Sequence, residues 1–201
     1  MALNFANNNS LSAITTKPSG LSGGALNLIS TQTASSSSTI SFTSGIDSTY
    51  DKYVFKFYDI HPATDSADFT FQVDTGTNTS YNQTMTTTVF RAYHTEADDA
   101  AALDYDSGRD QAQGTAFQIL AHEVGNDNDS SVVGDLHLFN PSSDTFVKHF
   151  ISTINEHHSY SMSVNKFNAG YINTTTPLTR VQFKFSSGNI DSGVIKLYGV
   201  S

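Results

Sequence analysis

The stretch Phe183-Lys184-Phe185-Ser186-Ser187-Gly188-Asn189-Ile190-Asp191-Ser192-Gly193-Val194-Ile195-Lys196-Leu197-Tyr198-Gly199-Val200 decides the fold. Two alternating apolar/polar runs flank a turn rich in Ser, Gly, Asn and Asp. That is the period-2 pattern of a β-hairpin with one buried face. The reading places a sheet-closing strand at the end of the chain. The same composition recurs upstream. Tyr53-Val54-Phe55-Lys56-Phe57-Tyr58-Asp59-Ile60 is the strongest strand, with Tyr53, Phe55 and Phe57 on one face and Pro62 stopping it. Phe69 to Val73 alternates cleanly before the turn Asp74-Thr75-Gly76, and Met85 to Ala92 is rich in Thr.

Further strands are expected over Ala25 to Thr33, Thr39 to Phe42, Val132 to Phe139, Phe146 to Ile154, Ser161 to Val164, Asn168 to Ile172, Arg180 to Phe185 and Val194 to Val200. The middle is weaker. Ala97 to Leu103, with Ala100-Ala101-Ala102, reads as one short helix, and Gly108 to Leu120 as a turn of helix or a strand. Roughly ten strands separated by polar turns predict an all-β, two-sheet antiparallel sandwich. A jelly roll is the first choice and a Greek-key sandwich the alternative. Residues 25–201 read as one domain. Residues 1–24 form an opening segment without sustained period. There Leu3, Phe5, Leu11, Ile14 and Leu21 are spaced as apolar anchors of an extended arm that docks on a neighbouring subunit.

Composition narrows the function. The 201 residues carry 19 acidic and 10 basic side chains, a net charge of -9, and only 14% are charged. The surface is therefore largely Ser, Thr, Asn and Gln. Lys and Arg are scattered singly, which argues against a phosphate-binding face and so against nucleic acid. There are no cysteines, so disulfides, thiolate catalysis and Cys-ligated metals are excluded. The N-terminus lacks a basic region followed by an apolar run of signal-peptide length, and no stretch is long and apolar enough to span a bilayer. Synthesis in a cytoplasm without Sec export is expected.

Three groups of residues are candidates for chemistry. The loop Gly125-Asn126-Asp127-Asn128-Asp129-Ser130-Ser131 offers hard oxygens at alternate positions, as a Ca2+ loop does, with Asp127 and Asp129 as ligands. It lacks the EF-hand glycine and distal glutamate, and the same residues build ordinary β-turns, the preferred reading. Asp98-Asp99, Asp104, Asp106 and Asp110 form an acidic stretch beside Arg109. Paired carboxylates serve glycosidases, so Asp104 and Asp106 define an enzymatic rival, a glycan depolymerase; a solvated acidic loop is preferred. Tyr81, Tyr93 and Tyr105, in or beside loops, are candidates for glycan contact. His157 and His158 are adjacent, and adjacent strand residues face opposite ways, so they would not share a metal locally. The other histidines are spread along the chain and are read as surface or packed residues.

Four segments carry a resemblance: Ser41-Phe42-Thr43-Ser44-Gly45-Ile46-Asp47-Ser48-Thr49-Tyr50, Asp59-Ile60-His61-Pro62-Ala63-Thr64-Asp65, Leu138-Phe139-Asn140-Pro141-Ser142-Ser143 and the closing Ser186 to Val200. From about Ala25 onward the chain resembles uncharacterised virion proteins of marine tailed phages that infect cyanobacteria and other marine bacteria. The resemblance implies a β-sandwich module found as a short protein or at the end of longer fibre-like chains. It brings no catalytic residues. It implies a non-enzymatic part of the virion surface, made in the host cytoplasm and either a capsid decoration (cement) protein or a tail appendage for host attachment. The implied partners are major capsid or tail proteins, further copies of the chain in a homotrimer, and a host surface glycan.

Overall fold

The computed structural model describes residues 25–201, so the anchors Leu3, Phe5, Leu11, Ile14 and Leu21 lie outside the described residues. Twelve strands and no helix make up the regular structure described. They are β1 (Leu26–Ser37), β2 (Ile40–Phe42), β3 (Lys52–Pro62), β4 (Ala67–Thr75), β5 (Met85–Thr95) and β6 (Ala101–Tyr105). The second half supplies β7 (Gln118–Val124), β8 (Val132–Phe139), β9 (Lys148–His158), β10 (Met162–Ile172), β11 (Leu178–Phe185) and β12 (Ile190–Val200).

The pairing is that of a jelly roll. Antiparallel pairs β1·β12, β2·β11, β3·β8 and β4·β7 nest inside one another, as in a long ribbon folded back on itself. Winding that ribbon adds the pairs β12·β3 and β11·β4. Two layers result, β1-β12-β3-β8 and β2-β11-β4-β7. The remaining strands are two insertions. The β5–β6 hairpin leaves between β4 and β7, and the β9–β10 hairpin leaves between β8 and β11. They join in the order β9-β10-β5-β6 and extend the first layer beyond β8. A single residue pair, Val124↔His158, ties β7 to β9 and links the two layers on that side.

Alternation explains the core. Tyr53, Phe55 and Phe57 of β3 and Phe183 and Phe185 of β11 point inward from opposite layers. Phe183 sits at the centre, with its ring 5.3 Å from Phe55, 5.2 Å from Phe57 and 5.9 Å from Phe69. Phe71 reaches Phe150 of the extension at 4.9 Å, so the aromatic cluster runs into the insertion. Gly134 fixes the joint between β8 and β9. Its φ is +145°, and a Cβ there would run into the Thr153 carbonyl oxygen, so the two strands meet closely only because the side chain is missing.

Two expectations are corrected. The helix over Ala97 to Leu103 is instead a turn followed by edge strand β6. Thr95 shapes that turn, its Oγ1 accepting from the N–H groups of Asp99 and Ala100. Seven residues are too few to repay helix nucleation, whereas the open edge of β5 offers a ready ladder. The segments Ser161 to Val164 and Asn168 to Ile172 are one strand, β10.

Candidate functional site

β7 is the edge strand of the smaller layer beyond β4, and its outer side faces the inner face of the extension. Its free backbone groups are met mostly by side chains, apart from the Glu123 carbonyl, which accepts from the Ser159 N–H at 2.9 Å. The His122 N–H donates to Glu156 Oε2 at 2.8 Å, the Leu120 carbonyl accepts from Asn168 Nδ2 at 3.4 Å, and the Ile119 carbonyl accepts from Gln118 Nε2 at 3.0 Å. Burying an edge this way needs polar residues inside the protein. Strands β9 and β10 supply them: Ser152, Glu156, Lys166 and Asn168 are all buried. Register sets Val164 opposite Glu156 and Lys166 opposite Ile154, so Glu156 and Lys166 are diagonal neighbours on one face. The connection between β6 and β7 covers this face. It brings Asp106 to Lys166, with Nζ to Oδ2 at 3.3 Å, and Arg109 to His122 Nε2.

Toward solvent the same cluster continues as His122, Glu123 and His158. Consecutive strand residues should face apart, yet His122 and Glu123 converge. A β-bulge explains it: between the pairs Phe69↔Ala121 and Ala67↔Val124 one extra residue enters β7, and Glu123 takes a φ of +51°. Its carboxylate then lies 3.5 Å from His122 Nε2 and 3.5 Å from His158 Nε2, with Asp68 Oδ1 3.8 Å from His122 Nε2. His157, one residue before His158, points away and bonds Ser130 Oγ at 2.6 Å. The expected opposite facing of His157 and His158 holds.

Ligand-type atoms of His122, Glu123 and His158 lie within 4.8 Å of one another, a spacing suited to a divalent cation. The hydrogen bonds do not fit one. His158 Nδ1 accepts the Tyr160 N–H at 3.2 Å, which leaves the ring proton on Nε2, facing Glu123. A metal-bound Nε2 calls for Nδ1 to donate, not accept. Arg109, a cation, already holds the lone pair of His122 Nε2. The arrangement is a polar seam between the layers, hydrogen-bonded in part, with His122 Nδ1, Arg109 Nε and Glu156 Oε1 left without partners.

Burial tunes its ionisation. Desolvation lowers His122 to about 4, with the Arg109 and Lys166 charges acting in the same sense. Desolvation also lowers His158 to about 4, helped by His122. It raises Glu156 to about 8, only partly offset by Lys166. Both imidazoles are neutral and Glu156 is largely a neutral acid near pH 7.

The residues singled out by sequence do not gather here, with one exception. Asp106, read as part of a solvated acidic loop, is instead mostly buried against Lys166. Asp104 pairs separately with Arg91 at 3.1 Å, so the two aspartates of the depolymerase reading each face their own cation. Tyr81, expected at the surface, is only 5% exposed: its N–H donates to Asp74 Oδ2, which draws the segment inward. Tyr105 is 55% exposed and donates to Asp110 Oδ2 at 2.6 Å. Tyr93 is half-buried under Arg91. Tyr105 pairs with Phe90, which puts it on the face opposite Tyr93, so the three tyrosines form no common surface. Asp127 and Asp129 lie exposed in a turn closed by the Ser130 N–H donating to the Asp127 carbonyl at 2.8 Å. Neither belongs to the His122–Glu123–His158 group.

His122 and His158, read as surface or packed residues, are packed, but sequence reading singled out neither Lys166 nor the part Glu156 plays beside it. One signal was available. Lys166 interrupts an otherwise strand-like run, and a lysine on the inward phase of a strand demands an internal partner. No family model matches the chain, and comparison with curated proteins and with solved structures gives no match.

Proposed function

We propose that this chain is a non-enzymatic building part of a tailed-phage virion surface, a capsid decoration protein or a tail appendage, assembled as a homotrimer. One observation carries the reading: the outer face of the extension is apolar. Phe139, Ile151, Ala169 and Tyr171, with Thr86, Thr88 and His149 among them, line a shallow, mainly apolar groove of about 530 Å³ there. The stacked pair Phe90–Phe167, with ring centroids 4.8 Å apart, continues it toward Tyr105. Ile151 is 51% exposed. A contiguous apolar face of this kind marks a surface that is covered in an assembly. The jelly-roll body gives such a part rigidity, and the quoted turn and strand motifs supply the phage resemblance. Copies of the chain would bury the face against one another, while residues 1–24 attach the part to the particle and presented loops contact the host surface or cover the shell.

Light scattering on the purified chain tests this. A trimer that Ile151→Lys converts to folded monomers is the expected result. A monomeric parent at micromolar concentration would remove the assembly reading. Labelling of intact particles then separates head from tail, and binding to no phage particle would overturn the virion role.

A further inference from the structure

Among the described residues two lysines are wholly buried, and they differ. Lys148 is satisfied, its Nζ donating to the Thr174 carbonyl at 3.1 Å. Lys166 is 0% exposed, yet its Nζ makes no hydrogen bond; it only touches Asp106 Oδ2 at 3.3 Å, and that oxygen has no hydrogen-bond partner either. A buried ammonium with none of its donors used is a costly group. Diagonal to it on β9 stands Glu156, whose Oε1 is likewise buried and unpartnered. A buried amine thus touches one carboxyl group and has a second, buried carboxyl group diagonal to it on the neighbouring strand.

We propose that Lys166 and Asp106 condense into an intramolecular amide bond, with Glu156 relaying the protons. The Lys166 ammonium first gives a proton to the Asp106 carboxylate through Glu156. The free amine then attacks Cγ of Asp106, and a C–N bond forms. The Glu156 acid donates to the departing oxygen and recovers a proton from the nitrogen, and the C–O bond breaks to release water. One ammonium and one carboxylate become one amide and one water, with no net proton and no redox change. Lys166 Nζ lies 3.3 Å from Asp106 Oδ2, one covalent bond away from the Cγ it would attack, so the two groups are already held together. Condensation is uphill in water, but here it removes a wholly buried ammonium and a mostly buried carboxylate from the interior. The bond would staple β10 to the connection after β6, across the seam described above. A chain with no cysteine has no disulfide to do this.

Mass spectrometry of the full chain, after days at neutral pH, tests it. The expected intact mass is lower than the sequence mass by one water, about 18 Da. A peptide map should show a branched peptide joining the segments around Asp106 and Lys166, and no tryptic cleavage after Lys166. Lys166→Ala and Asp106→Ala should each restore the full mass. Glu156→Gln, which keeps the shape, should slow the loss of water at least tenfold. An unmodified mass for folded parent protein overturns the proposal, as does a loss of water that maps to a single linear peptide. Cross-linking at the parent rate in Glu156→Gln would overturn the proton-relay role.

Discussion

The two interiors of this molecule are built on opposite principles. Between the jelly-roll layers the contacts are aromatic, with Phe42, Phe55, Phe57, Phe69, Phe71 and Phe183 interlocked edge to face or stacked. Under the extension, buried Glu156, Lys166, Asn168 and His158 stand beside Phe150, Ile154 and Val164, with Asp106 and Arg109 closing the space. The first interior follows from strand alternation alone. The second exists because β7 ends a sheet inside the protein and its backbone must still be hydrogen-bonded. Hydrophobic burial is non-directional and tolerates repacking; a polar interior is directional, and each group left without a partner carries a desolvation cost. The aromatic core therefore sets stability, and the polar seam sets how stability responds to pH.

The largest effect should come from the aromatic side. Phe183→Ala removes a ring that touches both layers, and a loss of about 3–5 kcal/mol is expected in denaturant unfolding. A loss below about 1 kcal/mol would mean the jelly roll is not organised around that ring, and the contrast between the two interiors would fail.

The seam should show itself in pH. Glu156 has a folded value of about 8 against an ordinary 4.5, so its neutral form favours the fold below pH 4.5, and that contribution is lost as pH rises through about 8. His122 and His158 have folded values of about 4 against 6.5, so their contribution is present above pH 6.5 and is lost as pH falls through about 4. Each group sets a slope of up to about 1.4 kcal/mol per pH unit within its window. Thermal melts of the parent should fall off on both sides. Glu156→Gln should flatten the alkaline side alone and His158→Gln the acid side alone. If both variants keep the parent profile, the seam does not control the response.

The sequence reveals these interiors unequally, for a physical reason. Val132 to Phe139 was read as a strand to the residue, and Tyr53, Phe55 and Phe57 were placed on one face, because alternation against a single apolar core writes itself into the chain. The jelly-roll preference was met by the nested pairs, down to β1 with β12. At β10 the same logic failed. Asn165, Lys166 and Asn168 broke the apolar pattern, and one strand was read as two segments. The His122–Glu123 convergence had no local signal at all. It rests on a bulge whose extra residue is defined only by pairing with β4, far away in sequence. The acidic stretch was legible as acidic but not as two aspartates with separate fates, since cations from other strands decide those fates.

Those two aspartates give the smallest effect and the finest test. Asp104 and Asp106 are two residues apart and each contacts one cation, Arg91 at 3.1 Å and Lys166 at 3.3 Å. Water reaches the first pair: 26% of Arg91 and 42% of Asp104 side-chain surface remains exposed. A pair so placed is screened and gains little beyond the cost of fixing two side chains, so Asp104→Asn should change stability by no more than about 0.5 kcal/mol. Adding salt should abolish even that, because the interaction lies within reach of counterions. Asp106→Ala, measured beside it, leaves Lys166 buried without its counter-charge and should cost several times more. Equal costs for the two would show that burial does not separate them, and that the seam is no more than surface electrostatics folded inward.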